Sequence, residues 1–422
     1  FLVPQHEVTG PLSRSDHPGD FLETVGTQTP DTLGGMNANL LLLTLCQGLF
    51  LTNNVTFIAI NGLVGLSMAP LGWMATLPVM GYVVGGALST GLVAKSQSRW
   101  GRRVSFQLGL AVALGSALLA AYAAWSHNFW LLVGATLIAG YYSANGQLYR
   151  FAAAELSAPD FRENAVSLVL AGGLIGAVIG PNLASRTRGL TDTPFVGAYL
   201  ALAGVAVLGL VLMHFIRFPQ AVAPQPGVAK GGSLADIVRR PVFIVSAITA
   251  AMGYGVMNLL MAATPLAMQV CGFGFSDAAL VLEWHVIGMF APGFFTGALI
   301  KRFGALPIMA VGVVLNLVCI AVALSGVDLH QFLIALFLLG VGWNFLFTGS
   351  TTLSMKAWSP EEKDRGQAAI NFCVFATMAI TSFASGALVT TQGWTWLNIG
   401  SIVPVALAGL ALLWLKLRHS GS

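Results

Sequence analysis

Two short motifs hold the residue types in this chain that could do chemistry inside an apolar medium: Met257-x-x-x-Met261 and His285-x-x-x-Met289. Thioether sulfur and imidazole nitrogen suit Cu(I), and neither needs a buried negative charge to bind it. A four-residue interval on an α-helix puts both side chains on one face, about 6 Å apart along the axis. The turn between the two segments centres near Gly272. Met261 lies 11 residues before that centre and His285 13 after it; Met257 lies 15 before and Met289 17 after. Folded back on each other, the pairs come level to within roughly 3 Å, so all four could face one soft-metal site.

Packing is the competing explanation. Methionine fills gaps in apolar helices, and with 13 of them in the chain a single i,i+4 pair is ordinary. Two such motifs on consecutive spans at matched depth are less easily put down to packing. Glu283 precedes His285 by two residues and points to another face; it could carry a proton or bond a neighbouring helix. Cys271 falls in the turn, where it could hand metal inward as a thiolate or be a plain loop residue. Cys46, Cys319 and Cys373 read as small packing residues, and no CxxC pair is present.

The elements that must position these motifs are membrane spans. The chain has 422 residues, 56% apolar and only 9% charged, with a mean hydropathy of +0.79. So few charges cannot cover a soluble fold of this size, which excludes a soluble enzyme, a nucleic-acid binder and a disordered scaffold. Apolar segments of helical length recur, without the short alternating segments of a β-barrel. The expected fold is an all-α membrane protein of twelve transmembrane helices in two pseudo-symmetric six-helix bundles. Spans are predicted near 39–65, 71–94, 104–126, 128–153, 164–185 and 194–216, then 241–268, 276–300, 305–325, 330–355, 366–391 and 395–416. Residues 1–36 are expected to be a disordered tail, not all of it native, and residues 418–422 a short second tail. The bundles are then 37–216 and 241–417, joined by a flexible Pro/Gly-rich linker over 217–240.

Basic residues orient the spans. Lys95, Arg99, Arg102 and Arg103 follow span 2, Lys301 and Arg302 follow span 8, and Lys356, Lys363 and Arg365 follow span 10. The opposite side carries only Arg186 and Arg188, which predicts a multi-pass protein of the cytoplasmic (inner) membrane with both termini in the cytoplasm. Inside the spans ionisable groups are few: Glu283 and His285, then Arg150 and Glu155 near the end of span 4 and His214 near the end of span 6. Neutral contact candidates include Asn145, Gln147, Asn258 and Asn344.

The two halves repeat each other. Ser98-Arg99-Trp-Gly101-Arg102-Arg103 after span 2 aligns with Lys301-Arg302-Phe-Gly304 after span 8 at an offset of 203 residues. These turns resemble the GxxxDRxGRR signature of major facilitator superfamily transporters, over residues ~37–417. Ser98 and Lys301 stand where that family has aspartate, which puts its aspartate-based cytoplasmic lock in doubt. At offset 205, Met257 and Met261 correspond to Thr52 and Thr56; at 203, His285 and Met289 correspond to Tyr82 and Gly86. The repeat therefore does not itself demand the motifs.

Met-x-x-x-Met on span 7 followed by His-x-x-x-Met on span 8 is similar to the CcoA-type bacterial copper importers. That resemblance implies copper uptake by alternating access for cytochrome oxidase assembly, with Met257, Met261, His285 and Met289 as ligands. Copper would be the cargo and not a resident cofactor, and copper chaperones on either side would be partners. Two alternatives stay open: a carrier of a small organic molecule or drug with methionine as apolar lining, and a membrane metal sensor or assembly factor. No GxxxxGK[ST] loop is present, so neither catalysis nor direct ATP use is expected.

Overall fold

The computed structural model describes residues 37–71, 74, 77–187, 189–219 and 232–420. The expected tail over 1–36 and residues 220–231 of the expected linker lie outside the described residues. In chain order the first half comprises α1 (Ala38–Met68), α2 (Leu77–Trp125), α3 (Phe129–Gly146), α4 (Tyr149–Glu155), α5 (Arg162–Ala171), α6 (Gly173–Thr187) and α7 (Val196–Phe215). After α8 (Leu234–Val238) the second half comprises α9 (Pro241–Val270), α10 (Phe275–Phe290), α11 (Gly293–Phe303), α12 (Ala305–Ser325), α13 (Leu329–Ser354), α14 (Lys363–Thr391) and α15 (Gly393–Ser420). No strand occurs among the described residues.

Nine stretches among the described residues are long and apolar enough to cross a membrane. One of them, α2, is two passes joined at Gly101, whose φ of 77° and ψ of 174° break the helix. Contacts on the fourth pass show the reversal. Gly85 lies on Leu137 and Arg102 on Glu155, while Ser105 bonds back to Asn145. The α3–α4 and α14 passes stand outside the nine and carry buried polar side chains, among them Ser143 and Asn145 on the first and Gln367 and Asn371 on the second. With these two the described residues hold twelve passes.

Gly304 joins α11 to α12 with φ 88° and ψ 161°, nearly the backbone of Gly101. Only glycine populates this region freely, so the repeat seen in the residues is a repeat of one strained turn. Two predicted spans are interrupted. The fifth breaks into α5 and α6 at Gly172, where the backbone closes on Thr44 of α1, and the eighth breaks at Pro292 between α10 and α11. α8 adds a capped turn inside the expected linker, with Ile237 buried. Contrary to the expected tail from residue 418, α15 continues to Ser420, with neither proline nor glycine between Ala411 and Ser420.

Outward-facing Leu88, Leu92, Phe294 and Leu410 are all more than 60% exposed, an apolar girdle suited to lipid and not to water. The starts of α1 and the ends of α4 and α7 share one face: Asn37 Nδ2 donates to Leu156 O at 2.7 Å, and Arg217 N donates to Asn39 Oδ1 at 2.9 Å. α8 packs against α14 and α9 of the second half.

Candidate functional site

Where the halves meet, one apolar cluster takes residues from both: Leu170 and Ala154 from the first, Met257, Met289, Phe290 and Trp343 from the second. Its centre is aromatic. Trp343 stacks on Phe347, one helical turn away on α13, with ring centroids 4.9 Å apart and planes at 19°. Tyr254 of α9 meets both edge-on, at 5.4 and 5.2 Å, and Phe290 of α10 meets Trp343 at 5.8 Å. Beneath them the guanidinium of Arg150, on α4, lies 4.1 Å from the centroid of Phe347. It donates to Gln147 Oε1 at 3.0 Å and, across the seam, to Asn371 Oδ1 at 2.9 Å.

Closer to the linker face an ion cluster seals the seam. Arg102 donates to both carboxylate oxygens of Glu155, at 3.1 and 2.6 Å, to Gln367 Oε1 of α14 at 2.7 Å, and to Gln97 Oε1. Lys363 of the second half reaches Glu155 at 3.2 Å. Nearby, Ser167 Oγ donates to Gly293 O at 2.5 Å, and Lys301 Nζ donates to Asp160 O at 2.7 Å. These inter-half bonds gather in the linker-face half of the molecule, as in a carrier closed on that side.

The four soft residues do not share one arrangement. Met257 and Met289 are buried in the central cluster, and half-buried Met261 packs against it. His285 is fully buried but turned to α13, where Nδ1 donates to Leu336 O at 2.7 Å. α10 packs chiefly on α13, with Gly288 against Phe337 O and Gly340 against His285 O, and touches α9 little. The expected face-to-face pairing of the two motifs is thus replaced by a common packing on α13. Because Nδ1 holds the proton in that bond, Nε2 carries a lone pair, and it has no partner. Among the described residues no three His, Cys, Asp or Glu side chains gather, so a metal here would rest on thioethers and one imidazole. Glu283 and Cys271 are exposed.

The asparagines considered as contact candidates are engaged in the fold. Asn258 donates to Thr381, Ser382 and the Met378 carbonyl; Asn344 joins Thr296 to the Met289 carbonyl. Reading the residues alone missed Tyr254, Trp343 and Phe347, because aromatic residues are common in lipid-facing helix positions too. The one pointer was Arg150, a charge where few are tolerated.

The model of the Major Facilitator Superfamily matches residues 40–292 and 284–422. The chain belongs to this superfamily. It is 36% identical over 387 residues to the riboflavin transporter RfnT of Brucella anthropi, covering 91% of this chain and 97% of that protein. It is 27% identical over 359 residues to the uncharacterized MFS-type transporter YddS of Bacillus subtilis, covering 81% and 82%. In fold it is similar to FucP in its outward conformation, with TM-score 0.71 at 14% identity over 89% of this chain and 98% of that one. A bacterial homologue of ferroportin in its outward-facing state gives TM-score 0.71 at 16% identity, covering 90% of this chain and 100% of that one. The chain is a membrane transporter of this superfamily.

Proposed function

We propose that the chain carries riboflavin, or a closely related flavin, across the cytoplasmic membrane by alternating access. The observation that carries this reading is the 36% identity sustained along 97% of a riboflavin transporter. The site is in keeping with it. A planar three-ring solute is matched by the flat and edge-on faces of Tyr254, Trp343, Phe347 and Phe290 more naturally than a small hydrated ion would be. The basic residues at the linker face favour a cytoplasmic position for that face and both termini, so that this state is closed toward the cytoplasm. The test is growth of a riboflavin-requiring bacterium on low external riboflavin, with labelled uptake measured alongside. Rescue and uptake are expected; absence of both from cells that hold the protein in the membrane would end the reading.

Copper import is the second reading, and one observation favours it: the unpartnered Nε2 of buried His285, one turn from Met289. Under this reading Met257, Met261, His285 and Met289 hold the cargo, and exposed Cys271 and Glu283 assist its entry. His285→Leu separates the two readings. It should abolish copper uptake if the ion is the cargo, and leave riboflavin uptake within about twofold if the flavin is, since Leu keeps most of the buried volume.

A further inference from the structure

Two donors in the central cluster have no acceptor. Trp343 is 2% exposed and its Nε1 is unpaired; Arg150 is equally buried and its Nε is unpaired. Both lie against one ring, that of Phe347, with Trp343 stacked on it and the guanidinium 4.1 Å from its centroid. Indole and guanidinium nitrogens can only donate, and a buried donor left unmet is costly. The partners Arg150 does have, Gln147 and Asn371, are neutral amides. Whatever completes this place must therefore bring acceptors, and the aromatic walls require that it bring them on the edge of a flat ring.

A flavin ring does so at one end only. Its pyrimidine-dione edge holds two carbonyl oxygens, while its dimethylbenzene end holds no acceptor. We infer that Trp343 Nε1 and Arg150 read the dione edge of the substrate, with the benzenoid end directed away from them. This assignment rests on the flavin reading above.

Trp343→Phe tests it, because phenylalanine keeps a ring on Phe347 and removes the N–H. The full chain in detergent is titrated calorimetrically with riboflavin and with phenazine, which keeps three fused rings and lacks the carbonyls. The variant should bind riboflavin about five- to tenfold more weakly than wild type, and phenazine within about twofold, at an unchanged thermal midpoint. Arg150→Lys should show the same selectivity with a larger loss. An equal loss for both ligands would make Trp343 a packing residue, and undiminished riboflavin binding would remove it from recognition; either overturns the inference and leaves the flavin reading standing. A wild-type protein that binds no riboflavin overturns the flavin reading and this assignment with it.

Discussion

The turns after the second and eighth passes share a backbone and little else. At Gly101 and Gly304 the chain reverses through the same glycine conformation, with φ of 77° and 88°. Beside Gly101, however, Arg102 is buried and holds Glu155, Gln97 and Gln367, with Asp364 4.0 Å away. Beside Gly304, exposed Lys301 makes a single bond to a backbone carbonyl. The repeated element is thus the reversal, and the closure is built on one side only. The missing aspartate at Ser98 does not open the linker face. Ser98 is exposed and bonds only the Lys95 carbonyl, while neighbouring Gln97 turns inward to Arg102.

The sharpest way to break this comparison is Arg102→Met. Removing a buried cation leaves Glu155 and Asp364 facing each other with Lys363 alone. Breaking such a pair costs on the order of 3 kcal/mol, or roughly a hundredfold in the population of the closed state. Spin labels at exposed Ser98 and Glu361, one on each half, report the separation of the halves at this face. Wild type should show one short distance and the variant a dominant longer one. Unchanged distributions would mean that helix packing, and not the ion cluster, holds the face shut.

A smaller effect should be equal on the two sides. Gly101→Ala and Gly304→Ala both force a side chain into a region nearly closed to it, at a cost of about 1–3 kcal/mol each. Neither new Cβ would meet a neighbour closer than 3.8 Å, so the penalty is purely that of the backbone. Thermal midpoints in detergent should fall alike for both variants. A clear inequality would show that the turns are less alike than their dihedrals.

This contrast marks what could be read from the residues. Twelve passes, the repeat at 203 residues and the depth of Met257, Met289 and His285 follow from hydropathy and spacing, which are local or periodic properties. The long-range partners of Arg102 do not, because Glu155 and Gln367 stand 53 and 265 residues away on other helices and only tertiary packing brings them together. The pairing of the two methionine-bearing helices failed for a related reason. Consecutive helices were expected to lie side by side, whereas α10 prefers the glycine-lined face of α13.

A third test concerns the edge of the ion cluster. Glu362 is buried and accepts both Arg240 guanidinium nitrogens and the N–H groups of Gly232 and Ser359. The Arg240 hydrogen bonds pull its carboxyl down from 4.5 to about 2. A carboxylate depressed on folding stabilises the fold above its unfolded pKa and loses that contribution as pH falls through the folded value. Glu362→Gln should therefore destabilise the fold at pH 7 by about 1 kcal/mol, read as a lower thermal midpoint. The gap from wild type should narrow below pH 4.5 and continue to narrow toward pH 2. A gap that stays constant from pH 7 to pH 3 would show that the amide is simply a poorer fit and that no titration is involved.

The weakest effect belongs to the second turn, and its weakness is the point. Lys301 is exposed, its ammonium donates to one carbonyl of Asp160, and water can replace that bond on both sides. Exposed contacts of this kind contribute at most a few tenths of a kcal/mol after the side chain's lost freedom is counted. Lys301→Ala should leave the thermal midpoint, the label distances across the linker face and substrate uptake within error of wild type. The same truncation at Arg102 would strand two half-buried carboxylates, so the two substitutions differ in effect although their residues stand in corresponding turns. If Lys301→Ala instead opens the linker face as Arg102→Met is expected to, the closure is symmetric after all. The Asp160 carbonyl would then have to be counted among its latches.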